Sequence, residues 1–472
     1  MAGGSESEAE RLVAEIADGL TEFVPAGWQR LVAWFAMTAV SESASLLVDD
    51  GTRTVRCRVP EAVWEAVRRH RALSAGSGDG PWWRLLVSVD REGTEAFPDY
   101  GAEPFPGEQL FAPEAYLADL EAHPRERLPV WLAAYVGRVA LPSRPPREAA
   151  VAARADRAAG VRAAPVDGEL PDLAVLWARW SVLAAVFVAA GSRRGPRVGP
   201  STGVFESAGR CGSTLTLLPG DRAVLSGGVW ESPVLDAVYN TGAAAPKLFA
   251  GAPDWVTDPV LNPRALTGLL SFCYWWEAGR WYRGESPAMS ECAPAVPAVW
   301  TVGSVAGVAG QLAAGRAGAA EAAEAAADLV VAAQSGAVTR SGLARVFGHD
   351  DDVDLDGAMF QFVVAGLAAG EPDGVGESEA VALVRAHILG QGYDTDGYQL
   401  SALRAERLGV GWIVSSPAPA GEALLDRTVF YVADDGVVER STSSVPRAEF
   451  VAGFERRLRL RLDHRGAAGE SA

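Results

Sequence analysis

Only one lysine, Lys247, stands in the 472 residues, and the other 41 basic residues are arginines. With that lysine in "APKLF", no GxxxxGK phosphate loop exists, and no GxGxxG opens a helix, so the common nucleotide-cradling motifs are excluded. Cysteine is equally sparse. Cys57, Cys211, Cys273 and Cys292 lie far apart without a CxxC pair, which indicates neither a zinc site nor a disulfide framework and fits reduced thiols in a cytoplasm. The five histidines, His70, His123, His349, His387 and His464, are isolated, and none stands in HExxH. Histidine acid-base chemistry would therefore need partners assembled from separate domains.

No basic block interrupts a formal net charge of -18, so neither a nucleic-acid nor an anionic-membrane surface is expected. A basic protein partner suits that balance better. The acidic, amphipathic start "MAGGSESEAERLVAEIADGL" lacks the basic run and apolar core of a secretory signal. The longest apolar stretch, "LAVLWARWSVLAAVFVAA" at 173–190, is only about long enough to span a bilayer and carries Arg179 near its centre. It reads as a buried element, with no membrane span expected.

What is present is ordinary globular composition, 49% hydrophobic and 22% charged, in a chain long enough for about three domains. Apolar positions Leu12, Val13, Ile16, Leu20 and Phe23 fall on one helical face, and strand-like runs follow around an Asp49-Asp50-Gly51 turn. The predicted fold class is α+β, three small antiparallel-sheet-plus-helix domains joined by linkers. The first covers 1–140, and a proline-bearing linker without aromatic residues covers 141–170. A middle α+β region at 171–372 holds an aromatic hairpin and an alanine-rich helix over 305–334. The last, at 377–465, reads helix, four strands, helix.

Several motifs invite a chemistry. Gly199-Pro200-Ser201-Thr202-Gly203 has the letters of a serine-hydrolase elbow, but it lies in a loop context and reads as a surface turn. Asp352, Asp354, Asp356 and Gly357 reproduce the first half of a calcium loop, yet Val363 stands where the bidentate glutamate belongs. Carboxylates at a helix start explain them better, and no metal or other cofactor is expected. Asp394 and Asp396 before Gly397 read as a turn. The cluster Asp350, Asp351, Asp352, Asp354 and Asp356 is the densest acidic patch available to a basic partner.

In "FCYWWEAGRWYRGES", Ala278-Gly279 as a two-residue loop sets Glu277 opposite Arg280, Trp276 opposite Trp281, Trp275 opposite Tyr282 and Tyr274 opposite Arg283. The face with Cys273, Trp275, Tyr282 and Gly284 is expected to be buried, with Gly284 admitting a helix. The Trp276/Trp281 pair is expected to be partly open, as aromatic anchors for a partner.

In "EAVALVRAHIL", the tryptophan of "GVGWIVSSP", the hairpin "VFYVADDGVVERSTSS" and the closing "EFVAGFERRL", residues 377–460 resemble the YrhB-type immunity-protein domain of bacterial polymorphic toxin systems. They depart from it in the connection "APAGEALLDRT". Residues 6–138 resemble the YezG-type antitoxin family, in the first helix, "GWQRLVAWFAM", "WWRLLVSVDREG" and "LPVWLAAYV". These resemblances imply a protein that binds and neutralises a cognate toxin, with no catalytic residue to carry over. The expected function is thus a cytoplasmic, non-catalytic binding protein whose partner is a basic toxin. The alternatives are an enzyme whose site forms between domains and a scaffold protein.

Overall fold

Alternating side-chain direction sets the first sheet. In Arg30–Met37 (β1), Leu31, Ala33, Phe35 and Met37 point to one face and are buried. The computed structural model describes residues 2–461, apart from 25, 77–78, 138–145, 314–317, 348–352, 370–374, 392–399, 409, 417–427, 443, 448–449, 452 and 459. β1 is central between Glu42–Asp49 (β2) and Arg84–Asp90 (β4), with Thr54–Cys57 (β3) and Thr94–Asp99 (β5) outside them. The sheet order is β3-β2-β1-β4-β5, all antiparallel. The helices Ala2–Thr21 and Glu61–Ser74 supply Leu12, Ile16, Leu20, Val63 and Val67 to the core beneath that face. The β2–β3 turn forms where the aspartates predict it. The Asp50 carboxylate accepts from the backbone N–H of Thr52 and Arg53 at 2.9 and 3.0 Å, and Gly51 takes φ 85°.

A second, seven-stranded antiparallel sheet comprises Ala164–Val166 (β6), Arg197–Val198 (β7), Thr202–Glu206 (β8), Gly212–Leu218 (β9), Arg222–Gly228 (β10), Phe272–Glu277 (β11) and Arg280–Arg283 (β12). Its order is β6-β12-β11-β10-β9-β8-β7. Two expectations are corrected here. The stretch 141–170 is built into the fold where it is described: residues Pro146–Ala158 are helical, Ala149 and Ala153 are buried, and β6 pairs with β12. Small residues suffice because the neighbouring chain around Asp254–Thr257 comes close, and a helix of alanines needs little room. The single alanine-rich helix is two, Val302–Ala313 and Ala319–Gln334. They meet so closely that a Cβ on Gly310 would lie 2.7 Å from the Ala319 carbonyl oxygen.

The apolar stretch forms the helix Leu173–Ala189, buried with the sheet, the alanine-rich helices and Leu355–Ala365 in the largest core. Arg179 is accommodated because its guanidinium donates to the carbonyls of Val299 and Trp300, at 3.1 and 2.7 Å. No helix among the described residues is long and apolar enough to cross a membrane. Gly199–Thr202 closes the β7–β8 hairpin, the turn expected for that motif, with the Gly199 N–H donating to the Thr202 carbonyl at 2.7 Å.

The aromatic hairpin has the predicted register in all four pairs. Ala278 and Gly279 both take positive φ, 50° and 74°, the geometry of a type I′ turn. A left-handed alanine crowds its own Cβ, so Ala278→Gly is expected to raise the unfolding free energy of this unit by about 1 kcal/mol, measurable by urea titration. The partial exposure expected for the Trp276/Trp281 pair is not found, whereas Cys273 and Trp275 are buried as expected. Trp276 and Trp281 are 6% and 2% exposed, because the helix Leu173–Ala189 covers their face and β6 extends the sheet beyond them. Trp275 and Cys273 are buried on the opposite face, while Tyr282 is only half-buried. What approaches Gly284 is not a helix but the turn at 247–250, whose Leu248 and Lys247 carbonyl oxygens would stand 2.6 and 2.7 Å from an added Cβ.

The chain divides into two compact units, Met1–Ala368 and Ala369–Ala472. The regions expected as a first and a middle domain lie together in the first unit. Trp83, Tyr116, Leu120 and Trp131 share one core cluster with Leu235, Val238 and Tyr239. The second unit places the helix Glu377–Gln391 on a four-stranded antiparallel sheet of Arg404–Leu408 (β13), Gly411–Ser415 (β14), Thr428–Ala433 (β15) and Val438–Thr442 (β16), in chain order. Val384 and Ile388 pack with Val414 and Phe430 on one face, and Phe454 and Leu458 with Ile413 and Tyr431 on the other. The fold class is α+β, as the residue pattern predicts.

Candidate functional site

The seam between the two sheet regions of the first unit is fastened by polar residues. Asn240, on the helix Pro233–Thr241, receives the Leu128 N–H at 2.8 Å and donates to the Leu128 carbonyl at 2.9 Å, as a neighbouring strand would. Arg127 pairs with Asp236 at 2.7 Å beside it. Along this seam two open clefts lie on either side of Trp230-Glu231.

The first, of about 530 Å³, carries Asp79, Glu126, Glu231 and Asp236 against Arg125 and Arg127. Neither arginine is spare. Arg127 is held by Asp236, and the Arg125 guanidinium lies 3.5 Å from the centre of the Trp83 ring while donating to the Asp79 and Pro81 carbonyls. Burial lowers its pKa to about 10. Beneath it, Asp119 is fully buried and accepts from Arg71 at 2.6 Å and from the Trp83 indole N–H at 2.8 Å. Arg71 also donates to the Trp82 carbonyl at 2.9 Å. The acidic cleft thus rests on a buried, mutually satisfied network.

The second, of about 700 Å³, carries Arg194, Arg210 and Arg264 with Glu206 and Trp230. Its net charge is positive on an acidic protein. Arg210 and Glu231 are two of the four described non-glycine residues with positive φ, at 61° and 54°. Left-handed backbone at such side chains is strained and gathers where a site is shaped.

The residues singled out from sequence lie elsewhere. Trp276 and Trp281 are interior, their indole N–H groups donating to Asp221 at 3.1 Å and to the Pro171 carbonyl at 2.8 Å. They offer no surface to a partner. Asp354 caps the helix Leu355–Ala365, its Oδ1 accepting from the Gly357 N–H at 2.8 Å, and Asp356 pairs with Arg340, so both serve the helix start. Asp350, Asp351 and Asp352 fall outside the described residues, as do Asp394, Asp396 and the connection 417–427. Among the described residues no cluster of histidine, cysteine, aspartate and glutamate has the geometry to hold a metal ion.

Cys273, Cys292 and His70 are bound into the interior. Burial pushes the Cys273 thiol up and that of Cys292 to about 12, so neither is a thiolate near neutrality. Burial also lowers the pKa of His70, whose Nδ1 accepts the Trp82 indole N–H at 3.0 Å. In sequence the seam shows only as "GGVWESP", a turn signal before a helix with proline at its first position. Its charges come from segments 79, 126, 194, 210 and 264, too distant along the chain to form any motif. No protein-family profile matches the chain, and no curated protein matches it.

Proposed function

We propose that this is a non-catalytic binding protein of the immunity or antitoxin kind, which neutralises a basic protein toxin by contact through the acidic cleft of the seam. The observation that carries this reading is the set of three carboxylates, Asp79, Glu126 and Glu231, at one cleft beside the Arg127–Asp236 pair and an Arg125 committed to Trp83. A cleft of that composition favours lysine and arginine side chains, and a net charge of -18 steers a cationic protein toward the complex. An open cleft of this size suits protruding side chains of a protein rather than an enclosed small substrate.

The test begins with affinity purification of the full chain from its own cells and identification of any co-purifying protein. A basic chain whose lethality on expression is suppressed by this protein supports the proposal. Glu126 and Glu231 are exposed, so Glu126→Lys with Glu231→Lys should leave the fold intact and slow association with that toxin about tenfold at low salt. Recovery of the chain alone, or a toxin bound equally well by the reversed cleft, would reject it.

A further inference from the structure

The second cleft calls for an anionic ligand, independently of the toxin reading. Arg264 is held there by the sheet itself. Gly212 and Gly228 are paired across β9 and β10, and the arginine lies over both. A Cβ on Gly212 would meet the Phe205 carbonyl oxygen at 2.4 Å and the Arg264 Nη2 at 2.5 Å, and one on Gly228 would meet the Leu269 carbonyl oxygen at 2.2 Å and the Arg264 Cδ at 3.3 Å. Two glycines in register thus leave room for the neighbouring backbone and for the arginine stem, whose guanidinium at the groove is largely buried and bonded to Glu206 at 2.5 Å. Arg210 is presented by a left-handed residue at the β8–β9 turn, with its guanidinium over the Trp230 ring and one bond to Glu103 at 2.5 Å. Arg194 is exposed and donates from Nη1 to the Ala208 carbonyl at 3.1 Å.

Each guanidinium has five donors, and each spends only one of its terminal amino groups on a described partner. The remaining forks face a groove that also offers the Trp230 ring and the hydroxyls of Ser207, Thr214 and Thr267. We propose that this groove binds an extended acidic peptide segment, with carboxylates on the arginine forks and an apolar side chain on Trp230. Charge complementarity favours carboxylates. The apolar wall of Val204, Pro263 and Leu269 and the openness of the groove favour a peptide over a lone phosphate.

The probe is a fluorescein-labelled decapeptide of glutamates around one central leucine, titrated against the full chain and followed by anisotropy. Its glutamine counterpart and inorganic phosphate serve as competitors. Saturable binding is expected that the glutamine peptide does not displace, and that weakens as salt rises. Arg194→Ala with Arg210→Ala should weaken it at least tenfold, and Trp230→Ala about tenfold, while Arg91→Ala on an exposed turn leaves it unchanged. Circular dichroism melting confirms that each variant is folded. The proposal is overturned by equal displacement with the glutamine peptide, by full competition from phosphate at the same concentration, or by variants that are folded yet bind like the parent.

Discussion

Asp119→Ala is expected to lower the unfolding free energy of the first unit by about 3–5 kcal/mol, the largest loss of any single charge removal in the described chain. The carboxylate is fully buried and receives the Arg71 guanidinium and the Trp83 indole at once. Truncation leaves a buried cation without its counter-charge and an indole N–H without an acceptor, each of which carries its own desolvation cost. Asp119→Asn keeps an acceptor for Trp83 and should lose less. Arg447→Ala is the contrast. It breaks a pair with Glu406 of similar length, 2.6 Å, but both side chains are more than half exposed, and a small change is expected. Urea titration followed separately in the two units distinguishes these outcomes, and equal effects for the two substitutions would contradict the assignment. Because Trp83 also underlies Arg125, the alanine variant should in addition loosen the acidic cleft, and with it any partner bound there.

The second large effect concerns the aromatic hairpin. Trp276→Ala is expected to cost about 3–5 kcal/mol, as removal of a buried tryptophan does, with a smaller loss for Trp276→Phe. The ring meets Trp281 edge-on, with centroids 5.5 Å apart at 64°, and its N–H holds Asp221, itself in a left-handed turn at φ 52°. Truncation opens a cavity against the helix Leu173–Ala189 and frees that turn. The measurement that discriminates is affinity at a temperature where the variant remains folded. If Trp276 were a docking anchor, binding would fall while stability held. The expected result is the reverse, an unchanged affinity on a lower melting temperature.

How legible these features are in sequence depends on the range of the interaction that creates them. The hairpin register follows from local rules, since a two-residue loop with Gly279 dictates which side chains face each other. The Asp50 turn, the burial of the apolar stretch at 173–190 and the order of elements in the second unit follow from equally local patterns. Alternation along β11 and β12 separates two faces, but it does not say which will be covered. That was decided by β6 and a helix arriving from about a hundred residues earlier in the chain. Asp354 at the helix start belongs with the local patterns, its partner Gly357 standing three residues on, whereas the Arg340 that pairs with Asp356 lies on another helix.

By itself, then, the residue pattern determined the α+β class, the register of the aromatic hairpin, the acidic balance and the absence of the familiar nucleotide and metal motifs. These rest on contacts within a few residues or on composition. Only the tertiary structure decided that the first two regions share a core, that the paired tryptophans are interior, and that opposite charges gather on two sides of Trp230-Glu231. Each of those joins segments tens to hundreds of residues apart, and no periodicity or spacing along a chain encodes which distant surfaces will meet.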